Sequence, residues 1–180
     1  MDKRKEANLR VKKGITMALF SLMHQKSFSD ITISEIIRTA GVARVSFYRN
    51  YDSKEDVLLT LIEDILEEFR STIDTNETNY YTYENIRRSF AYFKRYGNFV
   101  LDLYHFGYGS ILLEKLNQFH EEVAGNMSSR SIERYELYMY MGALFNTAIK
   151  WIQNGTRESE EDITGMFCRA CGITEENRER

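Results

Sequence analysis

Four side chains that donate hydrogen bonds recur at alternate positions in one short segment: Arg44, Ser46, Tyr48 and Asn50. A guanidinium group can bridge O6 and N7 of guanine, and hydroxyl or amide groups suit phosphate oxygens. Val45 offers a branched methyl surface suited to a thymine methyl group or a close sugar–phosphate approach. Taken singly, a helical tyrosine is more often a packing residue and an arginine is more often solvated. The chemistry therefore depends on the elements that present these residues.

The residues just before this segment predict two short helices joined by a tight turn. Thr32-Ile33-Ser34-Glu35 has the pattern of a capping box, in which the side chains of the first and fourth residues bond each other's backbone N–H. Gly41 can take the left-handed conformation that ends a helix, and small Ala40 allows the helices to approach closely. A third short helix is predicted at about 43–49. This arrangement is a helix-turn-helix, whose second helix enters the major groove of DNA.

The run from Ile31 to Leu58 resembles the DNA-binding head of the TetR family of repressors. That family shows a threonine opening the second helix, then AGVS-(K/R)-G-(T/S)-(L/F)-Y-x-(H/Y)-F and (S/N)-K-E-x-L. The matching residues are Thr32, Ala40, Gly41, Val42, Arg44, Ser46, Phe47, Tyr48, Ser53, Lys54, Glu55 and Leu58. The chain differs at Val45, where glycine or proline is usual, at Asn50, often histidine, and at Tyr51, which replaces phenylalanine. The close match covers about residues 10–62.

The resemblance implies an all-α fold of about nine helices and a protein that is not an enzyme and needs no cofactor. A helix-turn-helix head would occupy residues 1–52, and a helical regulatory and dimerisation body would occupy residues 53–180. The implied function is that of a homodimeric repressor of a palindromic DNA operator, released by a small-molecule inducer of unknown identity. The alternative is a co-activator of the same fold that works through a protein partner. The expected DNA contacts are Thr32, Ser34, Arg44, Val45, Ser46, Tyr48, Asn50 and Lys54.

Apolar periodicity and glycine–asparagine breaks predict the remaining elements. The helices are expected at about 4–25, 53–72, 82–96, 98–106, 110–124, 130–154 and 159–171, with a second capping box at Ser53–Asp56 and a linker at 74–79. The absence of proline from the whole chain favours helices further.

The last two predicted helices resemble a C-terminal type of the family in which a helix ends in (I/L)-x-W-(I/L)-x-x-G. The corresponding residues here run from Ile149 to Gly155. The resemblance implies that the two helices pair with their copies as a four-helix dimer interface. The residues expected in it are Gly142, Ile149, Ile152, Met166 and Phe167. A purely intramolecular core is the alternative.

Aromatic side chains are dense between residues 80 and 108 and again from 135 to 140. Such a set could line a pocket for a planar or apolar ligand, although plain core packing is the default at helical spacing. The residues expected to border a pocket are Tyr104, Phe106, Tyr138 and Phe145.

The cysteines and histidines give only weak signals for metal or redox chemistry. Cys168 and Cys171 form one CxxC pair without a second pair, and on a helix both thiols would lie on one buried face. His24, His105 and His120 lack ligand spacing. Ordinary packing is therefore expected for all five.

The charge is divided unevenly along the chain. Residues 1–60 carry a net charge of +4, whereas residues 61–180 carry −7. A basic head on an acidic body can face phosphate at one end only. No apolar run approaches the roughly 18–20 residues of a spanning helix, and the charged N-terminus lacks the apolar core of a secretory signal. We therefore expect a cytoplasmic protein that does not contact the membrane.

Overall fold

The computed structural model describes residues 3–73, 81–123 and 132–173, and within these ranges every regular element is helical. The helices are α1 (Lys3–Met23), α2 (Ile33–Ala40), α3 (Arg44–Tyr48), α4 (Lys54–Arg70), α5 (Tyr83–Arg95), α6 (Gly97–His105), α7 (Gly109–Val123), α8 (Glu133–Gln153) and α9 (Glu160–Ala170), with a 3-10 turn at Phe28–Asp30. The linker predicted at 74–79 lies outside the described residues. No helix in these ranges is both long and apolar enough to span a bilayer.

The chain forms two compact units, Met1–Ile65 and Leu66–Arg180. The division falls within α4, whereas the sequence predicted the functional boundary at the start of that helix, after residue 52. The first unit is called the head below and the second the body.

The head is built around a small core shared by α1, α2 and α3. On α1 the residues at three- and four-residue steps face inward, including Ile15 and Leu19, which are completely buried. Ile36 from α2 and Phe47 from α3 are equally inaccessible. Burying each such side chain contributes about 1.5–3 kcal/mol, so this core holds the two short helices on α1.

The helix ends in the head follow the capping chemistry that the sequence predicted. The Thr32 side chain accepts the Glu35 N–H, and the Glu35 carboxylate accepts the Thr32 N–H at 2.9 Å. Gly41 ends α2 in the left-handed region with φ 65°. At the start of α4 the Asp56 N–H donates to Ser53 Oγ, but the Asp56 carboxylate accepts from Asp52 N–H instead of from Ser53. The bond to Ser53 Oγ is therefore formed as predicted, and the reciprocal bond is shifted to the preceding residue.

The body is a bundle in which α5 packs against α9 and α8, and α7 against α8. Phe90 on α5 lies between Trp151 and Phe167, with both ring centroids 5.8 Å away. Leu137, Met141 and Leu144 continue the buried side of α8, as expected of a helix that is covered along one face.

Candidate nucleic-acid interface

Helix α3 is held by one buried side chain and exposes most of the others. Phe47 is fully buried and contacts the rings of Tyr48 and Tyr51 at 5.4 and 5.8 Å. Tyr51 is also buried, so both residues act in packing. In contrast, Val45 is 63% exposed and Tyr48 46% exposed. Because five residues cannot form a stable helix alone, Phe47 fixes which face of α3 meets solvent.

Three of the predicted contact residues meet on this exposed face. Arg44 donates to Ser34 Oγ at 3.4 Å and to the Tyr48 hydroxyl at 3.3 Å, and its guanidinium carbon lies 5.3 Å from the centre of the Tyr48 ring. These long, exposed bonds engage two of the five guanidinium N–H groups. The others can donate elsewhere. We call Ser34, Arg44, Val45 and Tyr48 the recognition patch.

Asn50 and Ser46 have a different environment, because they face α1. The Asn50 side-chain amide donates to the Ser46 carbonyl oxygen at 2.8 Å, and its oxygen accepts from Asn8 at 2.9 Å. Asn50 therefore fastens the end of α3 to α1. This use of the side chain was missed from the sequence, since Asn8 lies 42 positions away.

Thr32 uses its hydroxyl within the head. It donates to Glu35 Oε2 at 2.8 Å and accepts the Glu35 N–H at 3.2 Å. Lys26 donates to both carboxylate oxygens of Glu35, at 2.7 and 2.8 Å. The hydrogen bonds from Lys26 and then from Thr32 lower the pKa of Glu35 to about 2.

Lys54 is directed at backbone carbonyl groups and not at solvent. Its ammonium group donates to the carbonyl oxygens of Phe28, Ser29 and Ile31 at 2.6, 3.1 and 2.8 Å, and it lies 4.7 Å from the centre of the Phe28 ring. An ammonium group has three N–H bonds, so all of them are engaged. The structure therefore ties Lys54 to the 3-10 turn, whereas the sequence assigned it a phosphate contact.

A half-open cleft of about 340 Å³ lies between the first half of α1 and the end of α3. Its lining residues are Arg4, Ala7, Asn8, Val11, Ser46 and Arg49. The four residues of α1 recur at steps of three and four, so they form one stripe of that helix.

The head is similar to a known protein family. Residues 15–61, which contain α2, the turn at Gly41 and α3, match the family described as bacterial regulatory proteins, tetR family. The match lies within the head and covers about a quarter of the chain.

The chain is also similar to individual regulators. It is 36% identical over 53 residues to the HTH-type transcriptional regulator EthR of Mycolicibacterium smegmatis, a segment that covers 29% of this chain and 24% of the relative. The match thus spans about a quarter of that relative's length.

Solved structures resemble the fold over most of the chain. A TetR transcriptional regulator from Streptococcus agalactiae 2603V aligns with a TM-score of 0.63 and 18% identity, covering 93% of this chain and 97% of its own. The dihydroxyacetone kinase operon activator DhaS aligns with a TM-score of 0.56 and 19% identity, covering 89% and 93%. The predicted all-helical, TetR-like fold is confirmed.

The four residues expected to border a ligand pocket occupy different surroundings in the body. Tyr104 and Phe145 lie together, with ring centroids 6.5 Å apart. Tyr138 lies two helical turns before Phe145, about 10 Å along the axis of α8, where its hydroxyl donates to Glu121 and accepts from Arg134. Phe106 follows the end of α6 and is half-buried. The structure therefore brings together Tyr104 and Phe145 but separates Tyr138 from them.

The residues expected in a dimer interface divide between core and surface. Ile149 is 1% exposed and Phe167 2% exposed, and Phe167 packs against Tyr140 at 5.4 Å. Both side chains are buried within one chain, the alternative left open above, and Phe90 of α5 and Tyr140 of α8 pack against Phe167. Ile152 is half-buried against Gly97, whereas Gly142 has open space beside its Cα and Met166 is exposed. These last two residues remain accessible to a second copy.

The cysteines and histidines do not assemble a site within the described residues. Cys168 is buried and Cys171 is exposed, and neither forms a disulfide bond. The expectation of one buried face is wrong because α9 ends at Ala170, before the second cysteine. No group of three or more potential metal ligands occurs in the ranges that the structure covers. His120 is buried, which lowers its pKa to about 4 and keeps it neutral.

Proposed function

We propose that this chain is a transcriptional regulator whose head binds duplex DNA with α3 in the major groove. The observation that carries the proposal is the recognition patch: Arg44, Val45 and Tyr48 project into solvent from a helix whose orientation is fixed by buried Phe47. Side chains at the start of a recognition helix reach base edges. Arg44 is the first residue of α3 and has the N–H groups to bridge a guanine. The DNA-binding function belongs to residues 1–52 in this proposal.

Charge supports the same orientation. The first sixty positions carry a net charge of +4, whereas the remaining residues carry −7. Phosphate contacts supply most of the sequence-independent affinity for DNA. Tyr48 and Ser34 are exposed beside Arg44, and their hydroxyl groups would donate hydrogen bonds to phosphates of the DNA backbone.

The proposed regulator acts as a homodimer on a palindromic operator. Two-fold symmetry would place the two recognition helices about one DNA turn apart, roughly 34–36 Å. Exposed apolar side chains on α8 and α9 support an interface between copies, since Tyr135, Met139 and Met166 all lie open to solvent. These residues, with Gly142, replace Ile149 and Phe167 as the proposed contacts. A repressor of this design would release DNA when a small molecule binds the body near Tyr104 and Phe145.

A second candidate is a regulator that activates transcription through a protein partner. The same exposed apolar side chains on α8, which include Ile132 as well as Tyr135 and Met139, would suit such a partner. The structural neighbour DhaS is named an operon activator. Sedimentation separates the candidates: Met139→Glu should yield monomers with weakened DNA binding if copies meet there, and an unchanged dimer if this surface serves a partner.

The test of DNA binding is selection of duplexes from a random-sequence pool by the purified protein, followed by affinity measurements on the selected site. Arg44→Ala should weaken binding by about 1–3 kcal/mol and relax the preference at one base pair. Tyr48→Phe should weaken all sequences equally, since only a phosphate contact is lost. Arg169→Ala, an exposed arginine of the body, is the control. Failure to enrich any sequence, or equal affinities for parent and Arg44→Ala, would contradict the proposal.

A further inference from the structure

The cleft between α1 and the end of α3 lies outside the recognition patch and has its own chemistry. Arg4 lines one side and Arg49 the other, with the Ser46 side of α3 between them. Arg49 is exposed and takes part in no ion pair with another described residue. Glu6, the acidic residue of this part of α1, lies on the far side of the helix, 3.9 Å from Arg10. Both charged groups that line the cleft are therefore cations.

The floor of the cleft is held in place by hydrogen bonds. Asn8, which lines the cleft, donates to Asn50, and Asn50 donates to the carbonyl oxygen of Ser46. These bonds join the two walls. They also commit the Asn50 side chain to a structural role, so a phosphate contact at this end of α3 requires another residue. Arg49, the preceding residue in the chain, is an exposed cation of the cleft that can make it.

We infer that the cleft holds one phosphate group of the DNA backbone, gripped by Arg4 and Arg49. This inference rests on the proposed binding of DNA by the head. The first residues of a recognition helix read base edges, whereas its far end approaches the sugar–phosphate strand. Guanidinium groups match phosphate oxygens in geometry and can donate two parallel hydrogen bonds. Ala7 and Val11, the other lining residues of α1 besides Arg4 and Asn8, are apolar and add no charge to the cleft.

The test measures how DNA affinity depends on salt, using a duplex selected by the parent protein. The logarithm of the binding constant falls as the logarithm of the salt concentration rises, and each lost phosphate contact makes this negative slope shallower by about 0.9. The variant carrying both Arg4→Gln and Arg49→Gln should show this change for each bound head. When the salt concentration rises from 50 to 200 mM, the loss of affinity should be about 3.5-fold smaller for this variant than for the parent, counted per bound head. Its preference for the selected sequence should not change, because a phosphate contact carries no base information.

Lys13→Gln is the matched control. Lys13 is an exposed cation of α1, about 180° around the helix from the stripe that lines the cleft. Lys13→Gln removes one positive charge from the helix that carries Arg4, so it measures the general effect of net charge per cation removed. The slope for Lys13→Gln should equal that of the parent.

A second measurement locates the phosphate. Replacing single backbone phosphates by neutral methylphosphonates should reveal one position in each half-site that weakens the parent but not the double arginine variant, a coupling that defines direct contact. If the double variant keeps the parental slope, or every methylphosphonate weakens both proteins equally, the inference is overturned. If the parent protein binds no DNA at all, the proposed function is rejected instead.

Discussion

Replacing Lys54 by methionine separates two roles that its position allows. The substitution keeps the apolar stem and removes the ammonium group that donates to the carbonyl oxygens of Phe28, Ser29 and Ile31. If these bonds are its main contribution, the variant loses stability and keeps its phosphate contacts. If Lys54 contacts DNA, the variant keeps its stability and loses affinity.

The size of the stability loss follows from the three bonds. A hydrogen bond to a charged group contributes about 1.5–3 kcal/mol. Two of the bonds are partly buried and the one to Ser29 is exposed, so its carbonyl regains water in the variant. The bonds also share one ammonium group and are not additive. We therefore expect Lys54→Met to lower the free energy of unfolding by about 2–4 kcal/mol.

Urea unfolding of the full chain measures this loss, and the salt dependence of DNA binding measures the second role. Glu55→Gln, at an exposed position in the same turn of α4, is the control and should change stability by less than about 0.5 kcal/mol. The reasoning is refuted if Lys54→Met unfolds at the parental urea concentration while the salt slope falls by about 0.9 per head.

Substitutions at three further positions test the head and body by unfolding measurements. Gly41→Ala should lower the free energy of unfolding by about 1–2 kcal/mol, because an L side chain strains the backbone at φ 65°. No atom lies within 4 Å of the added carbon, so the loss comes from the backbone alone. Gly41→Asn should lower the free energy of unfolding by less, because asparagine adopts this conformation more readily. The free energy of unfolding of the parent should fall as the pH is lowered from 4.5 to about 2, because the pKa of Glu35 is lowered in the folded state and its stabilising contribution is lost in that range. The Glu35→Gln variant should lack this part of the pH dependence. Burial lowers the pKa of His120, so between pH 6.5 and about 4 the unfolded chain binds a proton at this residue and the folded chain does not. Stability should therefore fall by about 3 kcal/mol from pH 6.5 to about 4, and less in His120→Gln.

Most of the helical framework could be predicted because its ends are determined by local chemistry. The Thr32 capping box and the left-handed Gly41 are fixed by residues within a few positions of each other, and both have the predicted geometry. The same locality explains why the backbone contacts of Lys54 could not be predicted. Its partners are backbone carbonyl oxygens 23 to 26 positions away, and every residue carries a carbonyl oxygen, so the sequence contains no signal for this contact.

Apolar periodicity has a related limit in the body. The spacing of Ile149 and Phe167 correctly indicates that one side of each helix is covered, but it contains no information on which chain covers it. In the structure the covering residues belong to the same chain: Phe90 and Tyr140 pack against Phe167. Exposure, which only coordinates provide, points to Met139 and Met166 as the side chains available to another molecule.

The head separates the residues that hold α3 from those that would read DNA. Phe47 and Asn50 fix the helix through the core and through Asn8, whereas Arg44 and Val45 on the outer face have no part in either attachment. A substitution on that face therefore changes what the helix presents without changing where it lies. This explains why the chain can carry valine at position 45, where the family usually has glycine or proline, and still keep the fold. It follows that a substitution of exposed Val45 can alter operator preference with little loss of stability. A substitution of buried Phe47 would instead displace α3 from the core of the head.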